Sequence, residues 1–395
     1  MLTFTASLLI SPTGMVERPL LLVSEGKIVE IGVRAAREAP TGATLVDLGD
    51  AILAPGYIDL HIHGGSGFDV MGDDPAGLPA VERLLVRHGV TGYFPTTVTA
   101  PLDATLRALE RLAIAIEVGK RDRDSGSGAR ADSLAQPLGI HLEGPFLSHV
   151  RKGVHPEADL LPPRIETFER FWQAARGHIG MMTVAPELEG AVELIAEAAR
   201  RGVCVSLGHS DADLAAARRG VEAGARHATH TFNAMRPLDH RSPGILGAVL
   251  TDSRLSADMI VDGIHLDPVI VALVANAKGA ERTVLVTDAL AATGMPDGHY
   301  RLGSMDVEVK DGRCTANGTL AGSVLTMDKA VRNLMSFTGW SLADAVRAGS
   351  RNPARAAGLT GKGILTAGAD ADFVALNAAG EVLRTFIGGV ERSTQ

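Results

Sequence analysis

The sequence predicts an α/β protein: a (β/α)8 barrel with a small β domain formed by both chain ends. From Tyr57 onward, apolar strand-like runs alternate with helix-like stretches, as expected for a parallel sheet built from βα units. Before and after that region, short strand-like runs are separated by turn residues, without a long helical period. A hydrophobic fraction of 46% in 395 residues is enough for a large core.

Eight strand candidates indicate that the parallel sheet closes into a barrel. All are short and mainly apolar, and most are followed by a stretch with helical character. They are residues 57–62, 91–96, 138–142, 179–184, 203–207, 226–229, 255–261 and 283–287.

Helices are predicted between these strands, at residues 77–88, 102–118, 189–201 and 211–223. Gly202 is the expected C-cap of the third helix, and Ser210 is the candidate N-cap of the fourth.

Two stretches interrupt the alternation. Residues 120–136 are rich in Arg, Asp, Ser and Gly, which indicates a surface insertion without catalytic residues. Residues 296–323 contain Asp-Gly or Asn-Gly pairs at 297–298, 311–312 and 317–318, which predict the turns of a β excursion after strand eight.

The chain ends carry strand-like runs at residues 2–10, 20–23 and 28–31, and again at 363–365, 372–376 and 382–387. We expect the two ends to pair into one discontinuous, sandwich-like β domain. Its predicted boundaries are 1–55 and 356–395, with the catalytic barrel at 56–355.

Composition narrows the class of partner. A formal net charge of −8, a pI near 5.9 and the lack of a basic tract argue against nucleic acid. Cys204 and Cys314 are too few for a disulfide framework, which favours a reducing cytoplasm. No apolar run is long enough to span a bilayer, and no export signal is recognised, so we expect a cytoplasmic enzyme with a small-molecule substrate and no membrane partner.

Polar residues at the ends of the predicted strands indicate a metal site. His61 and His63 lie two residues apart, so a strand would point both imidazoles to one face. In a parallel barrel the carboxyl ends of the strands meet around the active site. Imidazole and carboxylate groups there are typical ligands of a divalent ion. The candidates are His61, His63, Glu143, His209, His230 and Asp288.

Six segments carrying these residues resemble the N-acetylglucosamine-6-phosphate deacetylases, a branch of the amidohydrolase superfamily. The resemblance extends over about residues 20–390. The segments at 139–146 and 230–235 are specific to this branch, whereas the His61–His63 pair is shared across the superfamily. The segments are residues 59–64, 139–146, 207–210, 230–235, 262–265 and 286–289.

The resemblance implies that Glu143, His209 and His230 hold the principal metal. Some members lack the histidine pair and work with one metal; members that keep it hold a second, with the glutamate bridging. Since His61 and His63 are both present, we predict two metal positions, one of them weaker. The alternative is that the pair only forms hydrogen bonds in the barrel mouth. The expected cofactor is therefore one or two divalent ions per subunit, zinc first, with iron, manganese or cobalt as alternatives.

The catalytic roles also follow from the resemblance. A bound divalent ion lowers the pKa of its water from about 15.7 towards 7. Asp288 is expected to take the proton of the attacking water and pass it to the departing amine. His155 matches the position that polarises the acetyl carbonyl.

For the phosphate of the substrate, the resemblance implies Arg241, His265 and the backbone at Asn233 and Ala234. His155 and His265 could exchange roles. In the family, the loop that contains Arg241 reaches across a dimer interface. We therefore expect a homodimer in which Arg241 completes the neighbour's site.

Several histidines are interpreted as structural. His141 points to the same strand face as Glu143 and is expected to support or pack rather than to bind metal. His227 lies three residues before His230, but only His230 matches the family segment.

The leading prediction is an N-acetylglucosamine-6-phosphate deacetylase. The same metal site would serve the galactosamine 6-phosphate epimer, and no residue separates the two. A cyclic-amide hydrolase of the dihydroorotase kind needs a carboxylated lysine at the end of strand four, and residues 181–187 contain none. A non-catalytic scaffold would be expected to lack ligands or the acid, and all are present.

Overall fold

A parallel barrel forms the centre of the computed structural model, which describes residues 1–33, 40, 42–124 and 134–392. In chain order, the strands are β1 (Leu2–Thr5), β2 (Leu8–Ser11), β3 (Gly14–Glu17), β4 (Pro19–Ser24), β5 (Lys27–Val33), β6 (Thr44–Asp47), β7 (Ile52–Pro55), β8 (Tyr57–Ile62), β9 (Gly64–Gly65), β10 (Phe68–Asp69), β11 (Val90–Thr97), β12 (Gln136–Pro137), β13 (Ile140–Glu143), β14 (Ile179–Val184), β15 (Cys204–Leu207), β16 (His227–Ala228), β17 (Ser256–Met259), β18 (Thr283–Leu285), β19 (Gly298–Leu302), β20 (Met305–Lys310), β21 (Arg313–Ala316), β22 (Thr319–Leu320), β23 (Phe373–Leu376), β24 (Val382–Ile387) and β25 (Val390–Arg392).

The helices connect the strands on the outside of the barrel. They are α1 (Gly77–Arg87), α2 (Leu102–Asp124), α3 (Ile165–Ala174), α4 (Ala191–Arg200), α5 (Leu214–Ala223), α6 (Gly244–Thr251), α7 (Pro268–Lys278), α8 (Met327–Thr338), α9 (Leu342–Gly349) and α10 (Arg351–Ala356). No helix in these described ranges combines the length and apolarity needed to cross a bilayer.

The barrel strands pair in the order β8–β11–β13–β14–β15–β16–β17–β18, all parallel. The seam between last and first strands is closed just beyond β18, where Ala289 forms a parallel bridge with Ile62. Nearby, the Asp288 N–H donates to the His61 carbonyl at 2.8 Å. The predicted (β/α)8 barrel is confirmed.

The strands β16, β17 and β18 end one or two residues earlier than predicted, whereas β15 ends at the predicted residue. A residue with left-handed backbone angles follows β15, β16 and β18 two or three positions later. His209, His230 and Asp288 have φ of 44°, 28° and 51°. Non-glycine residues rarely occupy this region, and such residues cluster at functional sites. These three candidate ligands therefore lie just beyond the ends of their strands.

One predicted helix cap is wrong. Ser210 is not the N-cap of α5, which starts at Leu214 and is capped by the Asp213 side chain accepting from Ala216 N–H at 2.7 Å. The Ser210 hydroxyl donates instead to Glu187. Of the predicted surface insertion at 120–136, residues 120–124 belong to α2 and Gln136 is a buried residue of β12, whereas residues 125–133 lie outside the described residues.

The predicted β excursion forms an antiparallel sheet, β19–β20–β21–β22. Asp311 and Asn317 have φ of 50° and 51°, and the following glycines are also left-handed, as type I′ turns require. The Asp297-Gly298 pair is not such a turn, because Gly298 already starts β19.

The two chain ends share a small β unit, as predicted. The C-terminal strand β23 pairs antiparallel with β7, while β7 pairs in parallel with β2. The rings of Phe4, Phe373 and Phe386 lie with centroids 4.6–5.3 Å apart and form the centre of its core. Residues 363–365 form no strand. The domain boundaries at 55–56 and 355–356 stay a prediction.

Candidate active site

A cavity of about 320 Å³ opens at the carboxyl ends of the barrel strands. This is where a barrel of this type positions its chemistry, and the volume suits a small-molecule ligand. The excursion sheet supplies one wall. Among the described residues, the lining includes His63, Glu143, His155, His209, His230, Asn233, Ala234, His265 and Asp288, together with Val98, Arg151, Leu302 and Leu320.

The rings of His61, in the first barrel strand, and of His63, just after it, converge beside this cavity, and His63 lines it. His61 and His63 approach each other through their Nε2 atoms at 3.2 Å. On the same strand, the Asp59 carboxylate accepts hydrogen bonds from the Thr287 hydroxyl at 2.5 Å and the Thr287 N–H at 3.2 Å. Because Thr287 precedes Asp288, this contact holds Asp288 beside the histidine pair.

Glu143 joins two halves of the site. Its Oε2 lies 3.3 Å from His61 Nε2 and 3.2 Å from His63 Nε2. Its Oε1 lies 3.2 Å from His209 Nε2 and 3.1 Å from His230 Nε2. Asp288 Oδ1 faces the first half, 3.1 Å from His63 Nε2. One carboxylate therefore spans two histidine pairs, as a bridging ligand would.

Main-chain carbonyls determine which ring nitrogen of two histidines carries a proton. A carbonyl oxygen only accepts, so His63 Nδ1–H donates to Thr96 O at 3.0 Å, and His209 Nδ1–H donates to Arg151 O at 3.0 Å. In the neutral form of each ring, the lone pair is then on Nε2, directed at the centre of the cluster. This is the tautomer that a metal ligand requires.

The imidazoles and carboxylates of the cluster stabilise each other's charged forms. Burial opposes the shift, but hydrogen bonds to Asp288 and Glu143 raise the pKa of His63 well above its usual value. Burial likewise opposes ionisation of Asp288, yet the neighbouring His61 and His63 lower its pKa to about 2. For Glu143, burial also opposes ionisation, but the neighbouring His61 outweighs it and holds the pKa of Glu143 well below its usual range. Both carboxylates are thus ionised at neutral pH, and protons compete with any cation for the imidazoles.

The donor set fits a divalent metal. Within the described ranges, two triads have candidate ligand atoms within 4.8 Å of one another: His61, His63 and Asp288, and Glu143, His155 and His209. His230 adds to the second, with Nε2 3.0 Å from His209 Nε2. Neutral imidazole and carboxylate are ligands of zinc and similar ions.

His230 is held in its left-handed conformation by a buried acid. Asp258, fully buried, accepts a hydrogen bond from the His230 main-chain N–H through Oδ1. Its Oδ2 lies 2.9 Å from His227 Nε2, and His227 Nδ1 lies 2.6 Å from Ser256 Oγ. His227 is therefore a structural residue, as predicted: it contacts Asp258, which in turn holds the main chain of His230.

His155 differs from the candidate ligands. The Thr99 main-chain N–H donates to its Nδ1 at 3.3 Å, so this nitrogen is an acceptor. Burial, followed by the nearby His209, lowers the pKa of His155 well below its usual value. In the neutral ring the proton is consequently on Nε2, which lies 3.7 Å from Glu143 Oε2.

The predicted phosphate residues divide between the cavity and the surface. Asn233, Ala234 and His265 line the cavity. Asn233 Nδ2 is buried without a hydrogen-bond partner among the described residues, which leaves it available to a ligand. Arg241 lies on an exposed loop and is not among the described residues that line the cavity of its own chain.

Comparison with known proteins identifies the family of this chain. The model of the Amidohydrolase family matches residues 52–392. The chain belongs to the amidohydrolase family. It is 39% identical over 393 residues to the N-acetylglucosamine-6-phosphate deacetylase of Bos taurus, covering 95% of this chain and 92% of that protein.

Two further relatives of this amidohydrolase are informative. The N-acetylgalactosamine-6-phosphate deacetylase of Escherichia coli O157:H7 is 39% identical over 360 residues, covering 91% of this chain and 92% of the relative. A solved N-acetyl-D-glucosamine-6-phosphate deacetylase mutant from Mycobacterium smegmatis, in complex with N-acetyl-D-glucosamine-6-phosphate, superposes with a TM-score of 0.89. It is 35% identical and covers 99% of this chain and 98% of its own. The present chain is accordingly a metal-dependent hydrolase that acts on amide bonds.

Several side chains that support the amidohydrolase site escaped sequence reasoning. Asp262 accepts from the His265 main-chain N–H at 2.8 Å and lies 2.7 Å from its Nδ1. The Asp-x-x-His spacing at residues 262–265 is a sequence signal for this contact. Asp258 and Thr99 had no such signal, because their contacts join different strands and loops. Arg151 lines the cavity while its Nε donates to Asp211 at 2.8 Å.

The remaining histidines of this amidohydrolase have partners other than the metal-site carboxylates, although the His141 ring packs edge-on against His61 with centroids 4.6 Å apart. His141 donates from Nδ1 to Leu60 O at 3.1 Å, and its Nε2 lies 2.8 Å from the Thr183 hydroxyl, so both ring nitrogens are engaged inside the barrel. The others make contacts elsewhere, with acidic side chains: His88, His149, His178, His240 and His299.

Proposed function

We propose that this chain removes the acetyl group from N-acetyl-D-glucosamine 6-phosphate, giving D-glucosamine 6-phosphate and acetate, in amino-sugar catabolism or recycling. The observation that carries the proposal is the position of Glu143 between two histidine pairs, with Asp288 alongside. The relatives from Bos taurus and Mycobacterium smegmatis, which are named for this reaction, supply the identity of the substrate.

The proposed metal ligands are Glu143, His209 and His230 for the principal ion, with His61 and His63 forming a second position that shares Glu143. Zinc is the expected ion, with iron, manganese and cobalt as alternatives. When bound, such an ion acidifies a water molecule and polarises the acetyl carbonyl. The inward-facing Nε2 atoms of His63 and His209 support this assignment.

Asp288 is the proposed proton carrier. It is ionised at neutral pH, so it can accept a proton as a water oxygen attacks the acetyl carbon. When the carbon–nitrogen bond breaks, the same proton passes to the sugar nitrogen, which leaves as an amine. Acetate retains the water oxygen. His155, with its proton on Nε2, donates a hydrogen bond to the carbonyl oxygen as negative charge develops there.

The proposed phosphate contacts are Asn233, Ala234 and His265, completed by Arg241 of a second copy of the chain. The unpartnered Asn233 Nδ2 and the Asp262 carboxylate beside His265 support this arrangement. Asp262 Oδ2 lies 2.7 Å from His265 Nδ1 and fixes the orientation of the ring that lines the cavity. A cytoplasmic location is part of the proposal and agrees with two buried, unbridged cysteines.

The proposed homodimer can be tested by mixing subunits. In a mixed dimer of Arg241→Ala and Asp288→Asn chains, an Arg241 that serves the neighbour's site would leave one site intact. We expect mixing to restore activity that neither parent shows. If the mixture stays as inactive as its parents, Arg241 acts within its own chain or not at all.

N-acetyl-D-galactosamine 6-phosphate is the second candidate substrate, because the E. coli relative of equal identity is named for it. The decisive experiment measures metal per subunit and then acetate release from both 6-phosphates and from unphosphorylated N-acetylglucosamine. Preference for N-acetylglucosamine 6-phosphate is expected. Release from none of the three substrates by metal-loaded protein would refute the deacetylase proposal.

A further inference from the structure

We infer that Thr99 is a positioning residue: it holds His155 with its proton on Nε2, so that His155 is a hydrogen-bond donor in the site and not a metal ligand. This inference rests on the proposed function for what His155 donates to, but the proton position itself does not depend on the substrate. The position of this proton distinguishes the function of His155 from that of the neighbouring candidate metal ligands.

The first support is the direction of the hydrogen bonds at Nδ1. The Thr99 N–H points at this nitrogen from 3.3 Å, and an N–H can only donate. The main-chain N–H excludes a proton on Nδ1, so a neutral His155 carries its proton on Nε2. The Thr99 hydroxyl lies 2.8 Å from the same bare nitrogen and can then donate to it.

The contrast with its neighbours is the second support. His63 and His209 have Nδ1 against carbonyl oxygens, which leaves their Nε2 atoms free to bind a metal. His155 has the opposite partner and therefore the opposite tautomer. Its ring packs edge-on against His209, with centroids 4.6 Å apart. An Nε2–H beside Glu143 and the principal ligands is aimed where a carbonyl oxygen would develop charge.

The third support is the space left for the Thr99 hydroxyl. Gly144, which follows Glu143, has φ of +85°, and a Cβ on it would lie 2.1 Å from Thr99 Oγ1. Any larger residue would displace the hydroxyl from His155. Glycine at position 144 thus allows both the turn after the Glu143 strand and the contact that orients His155.

The test uses the metal-loaded enzyme with ring nitrogens of histidine labelled with ¹⁵N. Long-range proton–nitrogen spectra distinguish a protonated from a bare ring nitrogen, and the His155→Gln variant assigns the His155 signals. We expect a proton on Nε2 in the wild type and also in Thr99→Val, because the main-chain N–H remains, and a shift of the Nδ1 signal in Thr99→Val, because the hydroxyl contact is lost. Metal per subunit should be unchanged in His155→Gln. A proton on Nδ1 in the wild type, or loss of metal from His155→Gln, would overturn the inference.

Turnover gives an independent readout. Thr99→Val should lower kcat by about tenfold with KM unchanged, the effect of one lost hydrogen bond, and Thr99→Ser should restore it. The matched control is Thr97→Val, since the Thr97 hydroxyl, equally buried, has no hydrogen-bond partner among the described residues. Equal kcat in the two valine variants would contradict the role of Thr99. Because the spectra need no substrate, they remain decisive even if the wild type releases no acetate.

Discussion

Individual histidines in this site are distinguished by the partner of their second ring nitrogen. His63 and His209 each donate to a main-chain carbonyl, whereas His155 accepts from a main-chain N–H. The sequence identifies which histidines follow barrel strands, because that depends on local pattern. It does not identify the tautomer, because each partner comes from a different loop.

The role of Asp288 is tested by replacing its proton-accepting oxygen. Asp288→Asn should keep the fold and the metal held by Glu143, His209 and His230, and should lower kcat by about 10²–10⁴-fold, since an amide cannot accept the proton. The measurements are acetate release and metal per subunit. Asp306→Asn, at an exposed position, is the control. Turnover near the wild-type rate in Asp288→Asn would remove this residue from the mechanism.

Asp258 is expected to affect both stability and metal affinity, although it is not among the described residues that line the cavity. Asp258→Asn weakens its buried contact with His227 and its hold on the His230 main chain. We expect a loss of unfolding free energy of about 3–5 kcal/mol, as for a broken buried pair, and metal affinity lower by about 10–100-fold. Denaturant unfolding and a metal titration measure the two effects. Unchanged metal affinity would mean that the His230 backbone needs no such support.

Single strands and helices were predictable where local pattern decides them. Tyr57–Ile62 and Ile179–Val184 occur with the expected bounds, because apolar runs of that length pair on both edges. The start of α5 was not predictable from local pattern. The Ser210 hydroxyl donates to Glu187 across the barrel mouth, and Asp213 caps the helix instead. Long-range contacts overrode a valid local signal there.

The end of α6 provides a pH-dependent test. Lys278 donates from Nζ to the carbonyls of Val249 and Asp252 at 2.7 and 2.9 Å, and burial lowers its pKa to about 8. The unfolded chain has a lysine pKa of about 10.4, so between pH 8 and 10.4 it binds a proton that the folded state has released. Stability should therefore rise with pH across this window.

The measurement is the free energy of unfolding in urea at several pH values from 7.5 to 10.5, for the wild type and for Lys278→Met. The variant lacks the titrating group, so the difference in stability between the two proteins should change in favour of the wild type as pH rises. Parallel curves would show that Lys278 keeps its usual pKa in the fold.

At the scale of the whole molecule, the site depends on closure of the barrel. Asp59 contacts Thr287, and Asp288 contacts the His61 carbonyl, so the first and last strands together position the candidate ligands. The strand-end rule made this convergence predictable from the sequence. The proposed role of Arg241 does not follow from that rule, because Arg241 lies on an exposed loop and is not among the described residues that line the cavity of its own chain.

Removal of the metal should lower the stability of the entire barrel. A ligand that binds only the folded state adds about 2.7 kcal/mol to the unfolding free energy at 100 times its Kd, and about 4.1 kcal/mol at 1,000 times. We expect a chelator to decrease the unfolding free energy by an amount in this range, and zinc to restore it. If metal-free protein, verified by metal analysis, unfolds at the same denaturant concentration, the ions do not bind inside the barrel.

The pairing of the two chain ends has a consequence for synthesis on the ribosome. Phe373 in β23 is aligned with Pro55 in β7, so these two strands can pair only after the whole barrel between them has been synthesised. At a synthesis rate of about 5–20 residues per second, the interval between the synthesis of β7 and that of β23 is on the order of 20–60 s. During that time one edge of β7 is unpaired while the barrel is being made. The nascent chain therefore exposes an aggregation-prone strand edge, and a chaperone that shields it until release would raise the yield of folded enzyme.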